Sequence, residues 1–255
     1  MDLPSYRIPV QIIPGLIMDG LLGRRRSFRQ LALECIRHMD PPLVVLGQAK
    51  NLGSSPCVLT VNHYHRQGFH AEWLALAVSA AFPAEIHWII TNELTVPGKW
   101  YGFLGRPLSR SILNRAAGMF GFTTMPPMPP REKEVYTRAA SVRAVLSYVH
   151  QSRTPIIGLA PEGGDNPRQT LTHPPAGIGR FSILLGDLGL EFIPVGVYEE
   201  HGSLCVHFGD AFKIAKDSRK DQAEIDGSTA RQIMEHIAGL VPQSLRGNFM
   251  PASGN

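Results

Sequence analysis

The chain has 255 residues, 44% of them hydrophobic and 18% charged, which is enough apolar material for one large core and excludes a disordered chain. A net charge of +4 admits an anionic partner without selecting phosphate, membrane surface or nucleic acid. Cys35, Cys57 and Cys205 are odd in number, far apart and never in CxxC spacing, so neither a disulfide framework nor a zinc knuckle is indicated and a reducing compartment fits best.

The opening MDLPSYRIPV lacks a basic region followed by an apolar one, and no stretch approaches the ~18 apolar residues that cross a bilayer. Next comes GLIMDGLLGRRRSFRQLALECIRH, in which Leu16, Ile17, Leu21, Leu22, Phe28, Leu31 and Ile36 recur at helical spacing while Arg24, Arg25, Arg26 and Arg29 crowd one zone. That is an N-terminal amphipathic helical segment over residues 1–40, read either as an interfacial helix with arginines at lipid headgroups or as a packed helix with a solvated basic face. Gly20 and Gly23 argue against one continuous helix.

Short β-type runs follow at Leu43–Leu46, Cys57–Val61, Ile86–Ile90, Ile156–Leu159, Phe192–Val197 and Leu204–Phe208. Helical patterns lie around 70–82, 132–150 and 177–188. The expected fold is a layered α/β domain over 41–245, with a mixed, mostly parallel sheet flanked by helices. MPPMPP at 125–130 reads as an extended surface connection, and 246–255 as a flexible tail.

Sites in such folds lie beyond the carboxyl ends of strands. CVLTV ends in just such a place and releases NHYHRQGFHAE, with His63, His65 and His70 inside eight residues. A metal centre would need more ligands, and the HxHxDH pattern stops at Gln67 and Gly68, so no metal is expected. Nucleophile elbows, P-loops and HExxH are missing from the sequence. GIGRFS at 177–182 lacks the third small residue of a dinucleotide fingerprint and reads as a helix start. A second strand-end loop, LAPEGGDNPRQ, carries Glu162, Gly163 and Gly164, whose backbone N–H groups can approach an anion or oxyanion.

In order along the chain, VLTVNH, TNEL at 91–94, AGMFGFTTMPP, IIGLAPEGG, GIGRFSILLGDLGLEFIPVGVY and LCVHFGDAF resemble the blocks of the glycerolphosphate/lysophosphatidate acyltransferase (PlsC-like) family. The resemblance spans about residues 43–213. It implies transfer of a fatty acyl group from a CoA or carrier-protein thioester to a hydroxyl or amine acceptor such as a lysophospholipid or glycerol phosphate, with no resident cofactor. It also implies a lipid or small-molecule acceptor, a cytoplasmic chain sitting peripherally on an anionic membrane surface, and no nucleic-acid partner. His63 matches the family's catalytic base. The family's partner aspartate stands five residues on, where this chain has Gly68; Glu72, or else His70, takes its place. The EGG loop would contact the acceptor or oxyanion. Asp165 stands where the family has a phosphate-binding arginine, leaving Arg168 or Arg131 as substitutes and opening the way to a non-phosphorylated acceptor. Two other readings remain: an inactive acyltransferase-like lipid-binding protein, and a metal-dependent hydrolase using His63, His65 and His70.

Overall fold

The computed structural model describes residues 4–47, 53–93, 102–127, 131–164, 168–214 and 221–251, with the side chains of 102–108 outside the description. Seven strands form one sheet: β1 (Leu43–Leu46), β2 (Cys57–Val61), β3 (His87–Thr91), β4 (Thr123–Met125), β5 (Ile156–Leu159), β6 (Glu191–Glu200) and β7 (Ser203–Phe208). Their order is β1-β7-β6-β2-β5-β3-β4. The five strands from β6 to β4 are mutually parallel, β7 runs antiparallel to β6, and β1 runs parallel to β7. The expected mixed, mostly parallel α/β layering is therefore what the chain adopts.

The helices are α1 (Ile13–Leu22), α2 (Phe28–Arg37), α3 (Ala71–Ala81), α4 (Gly102–Phe120), α5 (Val135–Gln151), α6 (Ile178–Asp187) and α7 (Gln222–Ala238). Successive residues of a strand point to opposite faces, and β2 shows what that does here. Cys57, Leu59 and Val61 join a core with Phe28, Leu31, Trp73 and Phe82 of the α2–α3 layer. Val58 joins another, with Val145 of α5 and Phe181 and Leu185 of α6. All five β2 residues are buried, because both faces are covered. A third cluster seats Ile233 and Ile237 of α7 on Tyr198 and Cys205.

The N-terminal helical segment is two helices. Gly23, at φ +63, ends α1 in a left-handed cap, and Ser27 caps α2 by accepting from the Gln30 N–H. Only two of the four arginines stay in solvent. Arg26 pairs with Asp19 at 3.3 Å, and Arg29 donates to the Phe82 carbonyl at 2.8 Å, while Arg24 and Arg25 are exposed. The stretch GIGR starts α6, as expected. Its first turn is capped from outside by Asp226, which accepts from the Gly177 N–H at 2.6 Å and the Arg180 N–H at 2.8 Å. Gly179 is needed there, since a Cβ would stand 2.0 Å from the Asp226 carbonyl oxygen. The tail differs from expectation: Phe249 is 3% exposed and packs into the α7 cluster, so the chain is anchored beyond residue 246. Residues 128–130 of the proline segment, Leu94, Asp165 and 252–255 lie outside the described residues. No helix among the described residues is long and apolar enough to cross a membrane.

Candidate active site

The carboxyl ends of β2 and β5 are adjacent, because these strands pair in parallel with Cys57 opposite Ile156. Just past β2, Asn62 turns its amide onto the neighbouring strand. Its Nδ2 donates to the Val197 carbonyl at 2.9 Å, and its Oδ1 accepts from the Val197 N–H at 2.6 Å. A side chain thus substitutes for the next rung of the β2–β6 ladder as the main chain departs. At 3% exposure Asn62 has no water to replace these bonds. His63 is thereby delivered to the strand end, half-buried, with its Nδ1 sealed from solvent.

Glu162 ties the two loops together. Its Oε2 accepts from the His63 backbone N–H at 2.5 Å; its Oε1 accepts from the Thr172 N–H at 2.8 Å and the Thr172 hydroxyl at 3.2 Å. Burial pushes the Glu162 carboxyl above its ordinary range, and those donors only partly offset it. The turn that presents it closes with Gly163 N–H donating to the Ala160 carbonyl at 3.2 Å, with Gly163 at φ +73. That N–H is spent within the turn. Gly164 has open space where a Cβ would stand.

The loop after His63 is held by a buried ion pair that sequence reasoning did not find. Arg66 donates from Nε to Glu199 Oε2 and from Nη2 to Glu199 Oε1 at 2.6 Å, with Nη1 and Nη2 also reaching the Gln67 and Pro4 carbonyls. Tyr6 and Tyr64 donate their hydroxyls to the same carboxylate at 2.6 and 3.0 Å. Burial raises the Glu199 carboxyl, but the Arg66 guanidinium and the two hydroxyls outweigh it, so the group sits below the usual range. Burial, with the carboxylate beside them, pushes both tyrosines well up. The turn between Arg66 and Phe69 needs Gly68 at φ +83. The signal available in sequence was the pair of glutamates ending the apolar run FIPVGVYEE.

The loop does fold back at Gly68, yet no hydrogen bond or ion pair joins His63 to Glu72 or His70. Both are exposed, His70 at the N-cap of α3 and Glu72 in its first turn. Arg168 is exposed on the loop after β5.

Arg131 stands elsewhere, at the ends of β3 and β4. It donates to Glu93 Oε1 at 3.2 Å and to Glu134 Oε1 at 3.2 Å; Arg110 donates to Glu93 Oε2 at 2.8 Å. Burial opposes ionisation of Glu93, but the two guanidiniums win and hold its carboxyl low. No group of three or more His, Cys, Asp or Glu among the described residues is arranged to hold a metal ion. A shallow cleft lined by Pro56, Ile183, Leu190, Glu191 and Ile214 lies at the amino ends of β2 and β6, opposite to His63.

These elements define a mixed α/β domain in which the loops after its two central strands are tied together by the Glu162 carboxylate. The chain matches no protein-family profile and no curated protein. Among solved structures it is similar to the 1-acyl-sn-glycerophosphate (LPA) acyltransferase, PlsC, from Thermotoga maritima, with a TM-score of 0.47 and 8% identity over 82% of this chain and 77% of that one.

Proposed function

We propose that this protein is an acyltransferase that moves a fatty acyl group from a CoA or carrier-protein thioester to a hydroxyl or amine. The observation that carries the reading is the Asn62–His63–Glu162 arrangement. The two sequence blocks that resemble the family's base and EGT loop, 99 residues apart, meet through the His63 N–H and the Glu162 carboxylate. In this reading the imidazole of His63 is the base that meets the substrate. It takes the acceptor's proton as the acceptor oxygen attacks the thioester carbonyl. The C–O bond forms, the C–S bond breaks, and the imidazolium returns the proton to the departing thiolate, so the histidine ends neutral. Glu162 acts as a positioning residue, because its oxygens are occupied by the two loops. Gly164 is the part of the EGG element with room for substrate.

Glu72 and His70 stand outside hydrogen-bond contact with His63 and reach it only if the loop shifts on substrate binding. Glu72, which brings the negative charge that stabilises an imidazolium, is the stronger choice of partner. The exposed apolar face of α1, with Leu21 65%, Ile17 59% and Met18 54% exposed, together with Arg24 and Arg25 at its end, supports a peripheral seat on an anionic membrane.

The test is acyl transfer by purified protein from acyl-CoA to a panel of acceptors, read by mass spectrometry. His63→Ala should lower turnover by about 10²–10⁴ with an unchanged fold, and Glu72→Gln should lower it more than His70→Ala does. Full activity of His63→Ala would sink the assignment.

A further inference from the structure

The strand order brings a second group of side chains to the sheet edge that carries the His63–Glu162 pair. Cys57 lies opposite Ile156 and His87 opposite Ile157. β2, β5 and β3 are consecutive and parallel in the sheet, so His63, Glu162 and Asn92, which follow them, all leave at its carboxyl edge. With neighbouring strands about 4.8 Å apart, the ends of β2 and β3 are roughly 10 Å apart across β5. Asn92 extends the β3–β4 ladder, its N–H donating to the Met125 carbonyl at 2.9 Å. The next residue is Glu93, which gathers Arg110 and Arg131 and, through Arg131, Glu134.

Two properties of this group bear on what it binds. Both guanidiniums are already matched by carboxylates: Glu93 and Glu134 have side chains only 2% and 8% exposed, and each lies within 4.0 Å of both arginines. A phosphate monoester entering here would have to break those pairs and lie against two buried carboxylates. Meanwhile two buried acceptors, Asn92 Oδ1 and Glu134 Oε2, have no donor among the described residues. Asn92 is 8% exposed and Glu134 6%. A buried acceptor without a partner is uncommon in a folded chain and asks for one. What is missing is O–H or N–H donors, which a phosphate dianion lacks.

Resting on the acyltransferase reading, we propose that the β3 end of this carboxyl edge receives an uncharged or amine-bearing, hydrogen-bond-donating headgroup, a polyol or amino alcohol, whose donors satisfy Asn92 and Glu134, and that the acyl acceptor carries no phosphate. The acceptor hydroxyl nearest His63 is the one acylated; the remaining donors of the headgroup are read by Asn92 and Glu134, which are specificity-determining residues and take no part in proton transfer.

The experiment uses the full chain with palmitoyl-CoA and acceptors differing in the phosphate: monoacylglycerol and a long-chain amino alcohol against lysophosphatidate and glycerol 3-phosphate. Free thiol and acylated product are both measured. The expected kcat/KM favours the phosphate-free acceptors by roughly tenfold or more. Asn92→Leu should lower kcat/KM for them by about tenfold without lowering Tm, because it removes an atom that no described residue satisfies. Glu134→Gln, which uncovers positive charge, should move the preference towards the phosphate-bearing acceptors. A wild-type preference for lysophosphatidate or glycerol 3-phosphate overturns the proposal while leaving the acyltransferase reading standing. A Tm loss in Asn92→Leu with unchanged acceptor preference assigns Asn92 a purely structural role and also overturns it. Transfer to none of the four acceptors overturns both.

Discussion

Replacing Asn62 tests whether its amide is the device that delivers His63. In Asn62→Leu the shape is nearly kept, but the Val197 N–H and C=O lose the Asn62 amide as partner at a site 3% exposed. Each orphaned buried group costs about 1–3 kcal/mol, so the variant should lose about 2–6 kcal/mol. That is a large part of the 5–15 kcal/mol of a typical domain, and at 2–4 °C per kcal/mol its midpoint falls by about 4–24 °C. Asn62→Asp sharpens the test. A neutral carboxyl can still donate to the Val197 carbonyl and accept from its N–H, whereas a carboxylate turns an acceptor onto that carbonyl. Its folded pKa is therefore raised above the unfolded value of ~3.9. The sign follows: the variant is closest to wild type below ~3.9 and loses stability as pH rises through the folded pKa. Urea unfolding of the three proteins across pH 4–8 measures this. Parity of Asn62→Asp with wild type at pH 7.5, or a cost below about 0.5 kcal/mol for Asn62→Leu, would show that the amide bonds do not hold the strand end.

Burial holds His87 at about 4 against its ordinary 6.5, so the unfolded chain takes up that proton first as pH falls. Stability should drop by about 2 kcal/mol between pH 7.5 and 5, and His87→Phe should flatten that part of the profile in denaturant titrations; parallel slopes would refute it. Arg66→Ala leaves Glu199 buried beside two hydroxyls but no cation, and calorimetry should record a loss of about 3–5 kcal/mol. A loss under 1 kcal/mol would mean that water reaches the pair. The exposed arginines should each contribute about 1 kcal/mol on an anionic surface, so Arg24→Gln with Arg25→Gln should weaken sedimentation with anionic vesicles by about 30-fold. Wild-type protein left in the supernatant at low salt would mean that α1 has another use.

The strands buried on both faces were legible because they are unbroken apolar runs: CVLTV, IIGL and LCVHF need no partner to be recognised. The exceptions have local causes. β4 has three residues and runs into the proline segment, too little pattern to register. α4 carries Gly102, Gly105, Pro107 and Gly118, which mask its period, and α7 was hidden by its near-even mixture of polar and apolar residues. At the site, the positions of His63 and Glu162 could be read, since each follows an apolar strand. Their link could not, because it joins a backbone N–H to a carboxylate 99 residues away. Arg66 and Glu199 are 133 residues apart, and no periodicity connects them. Glu72 and His70 follow from counting along a loop, and counting cannot say where a loop's side chains point.

The order of strands sets a schedule for the ribosome. β2 is flanked by β5 and β6, both made long after it. At 5–20 residues per second, β2 waits roughly 7–27 s for Val197 to exist. Until then an apolar strand with both edges unpaired is displayed on an unfinished chain, a template for pairing with other chains. The half of the protein that carries the histidine cannot rehearse its final shape. A nascent chain arrested at residue 190 should be held by chaperones, whereas one arrested soon after β7 clears the exit tunnel should let go.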